Sequence, residues 1–227
     1  MMTSIVKCHL LDRELVDMTI DALDTIHPYS DETIIVRTTD SVTTPEFEDY
    51  LLKHDIGVVT AEKGFPNFVA VGMLVSQGNY VAVLNNDILM PPNWSKKLLD
   101  LFTDDNILMV HPKMLGWNDE FYKGREVKEN IDPREGMFFS AFILRRPFFG
   151  SLGWDMDYDY SGYDDWDFYY RARKAGYDCL WTDIVQYKHK GGATMDKIGR
   201  DQYYKKNREI FISKHGIDPQ AIDWYGI

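Results

Sequence analysis

The sequence predicts an α/β fold with a Rossmann-like first half, on three observations. Apolar runs of strand length alternate with segments of helical periodicity, the order that builds a parallel sheet covered by helices. The fourth such run, "YVAVL", halts on Asn85, Asn86 and Asp87 with Pro91 and Pro92 close behind, and open α/β sheets bind ligands at the carboxyl ends of their strands. No internal repeat, low-complexity tract or Pro/Gly/Ser linker interrupts the 227 residues, a length that suits a single domain with a substantial core.

In chain order, "TSIVKCHL" reads as a strand, and "DRELVDMTIDALDTI" places Leu15, Met18, Ala22, Leu23 and Ile26 near helical spacing. "ETIIVRTT" is the second strand, "TPEFEDYLLKH" a short helix opened by Thr44 and Pro45, and "IGVVTA" the third strand. "NFVAVGMLVSQG" reads as a helix closed by Gly78, ahead of the "YVAVL" strand. The helix "NWSKKLLDLF" and the strand "NILMVHPKM" follow, then an irregular polar stretch over residues 115–135. "GMFFSAFILRR" reads as a strongly apolar strand, and "GSLGWDMDYDYSGY" as a loop dense in Gly, Tyr and Asp. After it come the helix "DDWDFYYRARKAG", ended by Gly176, the short strand "DCLWT", the segment "VQYKHKGGAT" and a helix around "DQYYKKNREIFISKHG". The expected organisation is one domain over 1–227, with about 1–112 as a nucleotide-binding half joined directly to an acceptor half over about 113–227.

Composition narrows the function classes. Acidic residues outnumber basic ones 36 to 25, for a net charge of −11, whereas a protein living on nucleic acid carries a basic face. Two cysteines, Cys8 and Cys179, supply neither a zinc ribbon nor a disulfide framework, so a reducing, cytoplasmic setting is expected. No signal peptide or apolar span is visible. The alternating carboxylates of "DMDYDYSGYDDWD" miss the glycine and glutamate that a calcium loop needs at its sixth and twelfth places, where Tyr160 and Trp166 stand. A phosphate-binding G-x-x-x-x-G-K-[ST] loop is absent as well.

Three polar groups remain at predicted strand ends or loop tips: Asn85 to Asp87, Asp164 with Asp165 and Asp167, and His189 with Gly191 and Gly192. Each has a plain structural reading. Asn and Asp end strands through local turns, acidic residues complement a helix N-terminus, and a lone histidine is usually no ligand. The aromatics of the Tyr/Asp loop serve equally to pack that loop down or to offer faces to a ligand.

Taken in order, however, "YVAVLNND-x-x-x-PP", "GMFFSAFILRRPFFGSLGWD", "YDDWDFYYRARKAGYDCLW" and "HKGGAT" resemble the family 2 glycosyltransferases. The resemblance covers most of residues 3–195. It implies the GT-A fold, a nucleotide-sugar-binding α/β architecture with a mixed central sheet flanked by helices. It further implies a metal-dependent, inverting transfer from a nucleotide sugar, UDP-linked by expectation, to a hydroxyl acceptor such as a glycan.

The resemblance also distributes roles. Asn85 to Asp87 stand at the family's Asp-x-Asp or Asn-x-Asp motif, with Asn85 and Asn86 toward the donor and Asp87 as ligand of Mn²⁺ or Mg²⁺, joined by His189. Asp165 is the expected general base and Asp164 its neighbour in that role, because an attacking hydroxyl must lose its proton. Asp167 and Arg171 form an expected supporting i,i+4 pair. Trp154, Asp155 and Tyr163 fall on the acceptor loop, and Lys190 on a loop that closes over the donor. Where the family commonly has V-D-D-G-S at the end of its second strand, this chain has "VRTTDS", so Thr38 and Asp40 take the expected contacts to the donor base. Two other readings stay open from sequence: a sugar nucleotidyltransferase and a non-catalytic nucleotide-sugar or glycan-binding module.

Overall fold

The computed structural model of the chain describes residues 1–137, 139–191 and 194–227, with the backbone alone at 148 and 195. Gly192, expected in the donor loop, lies outside the described residues. The chain begins as the sequence predicts: β1 (Met2–Cys8), α1 (Arg13–Ile26), β2 (Glu32–Arg37), α2 (Pro45–Lys53), β3 (Gly57–Thr60), α3 (Phe65–Val75) and β4 (Tyr80–Asn85). Helix starts follow capping chemistry. Asp12 accepts the Leu15 amide at 3.1 Å, and Thr44 accepts that of Phe47 at 3.2 Å with Pro45 in the first turn.

The second half runs β5 (Ile88–Leu89), α4 (Trp94–Leu99), β6 (Ile107–Gly116), β7 (Val127–Glu129), β8 (Ala141–Arg145), α5 (Arg146–Leu152), α6 (Asp164–Lys174), β9 (Asp178–His189), α7 (Met195–Ile198) and α8 (Arg200–His215). The nine strands among the described residues join one sheet in the order β3-β2-β1-β4-β8-β6-β9-β5, with β7 on β9. β1 to β4 are parallel. β8 runs antiparallel between β4 and β6, which makes the sheet mixed, as expected.

Strand alternation divides the core between two faces. Val6, Ala82 and Leu84 pack with α1, α2 and α4 through Leu15, Phe47 and Trp94. Ile5, Val81 and Val83 face α3, α6 and α8 through Phe68, Phe168 and Phe211.

Several elements differ from the sequence reading. "DCLWT" and "VQYKH" are one twelve-residue strand, whose pairing with β6 skips from Thr182 to Gln186. The polar Asp183 that reads as a strand end sits in this irregularity, accepting the Glu126 amide at 2.7 Å. The apolar run before Arg145 enters β8 only at Ala141, and α5 occupies the start of the expected loop. Residues 115–135 are not wholly irregular, since β7 pairs with β9. α3 ends at Val75 with Ser76 as its cap, short of Gly78. Gly78 instead lets the chain pass β1: a Cβ there would stand 2.6 Å from the Thr3 amide nitrogen.

Candidate active site

Strand pairing assembles the site from distant residues. β1 and β4 are in register with Lys7 opposite Asn85, which brings both strand ends to one side of the sheet. β5 pairs with β9, Ile88 opposite His189, and the Lys190 amide donates to the Asp87 carbonyl at 3.0 Å. Two backbone pairings therefore deliver His189 to Asp87 across 102 residues of sequence. The resulting cleft, of about 590 Å³, has Lys7, Asn85, Asn86, Asp87 and His189 among its lining, with Asp164 and Asp165 contributed by the first turn of α6.

On the strand side, His189 Nε2 lies 3.1 Å from Asp87 Oδ1. An ionised carboxylate only accepts, so Nε2 carries the proton. Burial pushes the Asp87 carboxyl up, but the hydrogen bond and charge of His189, with Lys7 and Asn85, outweigh it and hold the group below the usual range. The amide nitrogen of Asn85 is 3.3 Å from the same imidazole nitrogen, and its carbonyl oxygen accepts from the Lys7 ammonium. Burial draws Lys7 down to about 8 against the opposing pull of Asp87, Asp164 and Asp165, so it remains mostly charged at neutral pH. Asn86 turns away to donate to Thr19 Oγ1 at 2.9 Å, fixing the turn against α1.

Across the cleft, Asp164 is buried and tied down. It accepts the Trp154 indole N–H at 3.2 Å and the Gly162 amide at 2.7 Å. Asp165 is partly exposed, and its one hydrogen bond among the described residues is from the Trp166 amide at 2.9 Å. Burial raises both carboxyls, Asp164 to about 6 and Asp165 to about 7, the latter lifted further by the charge of Asp164. Two carboxyls so close titrate as a pair.

The structure does not bring every expected residue to the cleft. Trp154 is 5% exposed and stacks on Phe168 with centroids 4.4 Å apart, so its face is spent on packing and on holding Asp164. Tyr158 is likewise buried and donates to Asp167 at 3.2 Å. Asp155 turns to Lys214 at 2.7 Å. Tyr163 accepts from Gln220 at 3.1 Å and lines a separate hollow beside Arg208. Thr38 is buried against Ser41, while Asp40 is held by Lys63 at 2.8 Å with His9 at 3.5 Å. Lys190 pairs with Glu14 at 3.0 Å. Ser161, Arg200 and Tyr204 line the cleft in places the sequence reading passed over, as does Lys7, whose only signal is a cation inside the run "SIVKC".

Asp167 has the supporting place expected of it. It is fully buried and takes Arg171 Nε at 2.7 Å, His215 Nε2 at 2.6 Å and the Tyr158 hydroxyl, which joins α6 to α8 and to the loop before α6. Asp167→Ala removes the buried acceptor shared by Arg171, His215 and Tyr158 and is expected to cost about 1–3 kcal/mol, measured as a lowered denaturant midpoint; a loss within experimental error would contradict this role.

The family model described as Glycosyl transferase family 2 matches residues 12–163. The chain belongs to that family. A search of curated protein sequences found no match. Among solved structures, GalNAc-T7 with UDP, GalNAc and Mn²⁺ superposes with a TM-score of 0.66 at 14% identity, over 83% of this chain and 43% of that one. The mannosyltransferase PcManGT from Pyrobaculum calidifontis, in complex with GDP-Man and Mn²⁺, gives 0.66 at 16% identity, over 93% and 64%. S. aureus TarS 1-349 gives 0.65 at 12% identity, over 87% and 62%. The family 2 chain thus has the GT-A fold and spans less than two thirds of the length of each of these structures. Among its described residues, no helix is long and apolar enough to cross a membrane.

Proposed function

We propose that this chain moves a sugar from a nucleotide-sugar donor to a hydroxyl acceptor, inverting the anomeric carbon, with a divalent cation bound alongside the donor diphosphate. The observation that carries the reading is the two-walled cleft: Asp87 and His189 stand on one side, and Asp165, with hydrogen-bonding capacity to spare, on the other. The unit proposed is 1–227, whose first half supplies Asp87 and whose second supplies Asp165 and His189.

The residues fit a hard cation delivered with a diphosphate. One ionised carboxylate and one imidazole lie side by side, and the described residues contain no cluster of three or more metal-ligating His, Cys, Asp or Glu side chains. The remaining ligands would then come from the diphosphate oxygens and water, a common arrangement for such ions. Once bound, the cation stabilises charge developing on the leaving diphosphate. Asp87 and His189 would hold it, the imidazole through Nε2, the nitrogen that faces Asp87, once the ion displaces its proton.

Asp165 takes the proton. As the acceptor oxygen forms its bond to the anomeric carbon, the hydroxyl proton passes to the Asp165 carboxylate, and the carbon–oxygen bond to the diphosphate breaks with its electron pair leaving on phosphate oxygen. Attack opposite the leaving group inverts configuration. Burial, with the charge of Asp164 added to it, keeps Asp165 at a raised pKa suited to a base near neutral pH, and Trp154 and Gly162 hold Asp164 in place beside it.

UDP is the first donor base to try, and GDP belongs beside it because the solved neighbours carry both. The acceptor class proposed is a glycan or another hydroxyl compound. A cytoplasmic setting rests on Cys8 and Cys179 being buried, unpaired thiols. Nucleoside diphosphate release from a panel of nucleotide sugars tests the reading.

A further inference from the structure

Asn85 leaves the strand side of the cleft with one carboxylate, and what occupies the charge position beside it is a lysine. Lys7 is 8% exposed, hydrogen-bonded to Asn85 and seated over the Phe65 ring at 4.2 Å from its centroid. An ammonium has three donors. Among the described residues Asn85 Oδ1 is the one hydrogen-bond acceptor that Lys7 reaches. An aspartate at 85 would neutralise the lysine as an ion pair; the amide fixes the stem and leaves the charge available. Arg200, the other long cation lining the cleft, is already paired with Asp196 at 3.1 Å.

The ligand of this cleft is anionic in the function proposed above, on which this inference rests. A diphosphate entering between Asp87, Asp164 and Asp165 meets three acidic groups, and a buried fixed cation offsets their repulsion without any ordering cost at the moment of binding. We propose that Lys7 is a built-in cation for the donor diphosphate, so that the nucleotide is held without a metal ion and the ion serves transfer more than retention. The amide at 85 and the lysine at 7 are then two halves of one device.

The test is calorimetric titration of the full chain with UDP and with GDP, in EDTA and in Mn²⁺. Wild type should bind one of the two in EDTA within about tenfold of its affinity in Mn²⁺. Lys7→Met keeps the length of the stem without the charge; it should lose about tenfold or more in EDTA and much less in Mn²⁺. An equal loss in both conditions would mean a structural role only, and no loss would mean no contact; either overturns the proposal. Should Lys7→Met fail to fold by circular dichroism, Asn85→Asp, which neutralises Lys7 in place, must show a loss in EDTA, and unchanged binding overturns the proposal. Turnover in Mn²⁺ with no wild-type binding in EDTA sinks the role of Lys7 and leaves the transferase reading standing. Absence of nucleotide binding and of turnover in either condition sinks both.

Discussion

Asp165→Asn lowers sugar transfer by about 10³-fold while nucleotide binding in calorimetry stays within about threefold of wild type, because a positioned general base contributes roughly 10²–10⁴. The amide keeps the size of the carboxyl and its contact with the Trp166 amide but takes no proton at neutral pH. The pH profile carries the same signature. Burial and the charge of Asp164 raise the carboxyl to about 7, and the base is the unprotonated form, so wild-type kcat/KM climbs with pH and levels above about 7. An unperturbed carboxylate would level near about 4. Residual transfer in Asp165→Asn should lack that climb. Transfer retained near the wild-type level would remove Asp165 from the role of base.

Asp87→Ala removes the one carboxylate on the strand side of the cleft and is expected to lower turnover by about 10²–10³-fold, the loss of several kcal/mol of charge stabilisation on the leaving group. Wild-type turnover should fall in EDTA and return with Mn²⁺ or Mg²⁺, whereas the variant should regain little with either. His189→Ala should act in the same direction and less strongly, since the carboxylate and the diphosphate remain. Equal metal response in wild type and Asp87→Ala, followed by nucleotide release, would contradict the assignment of Asp87.

Much of this was legible in the sequence. The β-α-β order through Asn85 follows from periodicities of two and 3.6 residues, and Thr44 with Pro45 marks where α2 begins. Four weak motifs in order located Asp87, Asp165 and His189 in one cleft. What escaped was set by long-range pairing. Lys7 reads as a strand cation that ordinarily faces solvent, and its burial is decided by β1 lying between β2 and β4 with Phe65 over it. Trp154 shows the converse. An aromatic in a Gly/Asp-rich loop carries no sign of whether its face is free, and here Phe168 covers it. The sequence of β9 reads as two segments on either side of Asp183 because a bulge and a strand end have the same polar composition.

The most direct test of the central claim is to incubate the chain with Mn²⁺, a panel of UDP- and GDP-sugars and mixed hydroxyl acceptors, and to follow the nucleotide product. The account predicts release of a nucleoside diphosphate with at least one donor, and a sugar linked to acceptor with its anomeric configuration inverted. Release of pyrophosphate, as a sugar nucleotidyltransferase would give, binding without turnover, as a glycan- or nucleotide-sugar-binding module would give, or no nucleoside diphosphate above background with any donor would contradict it.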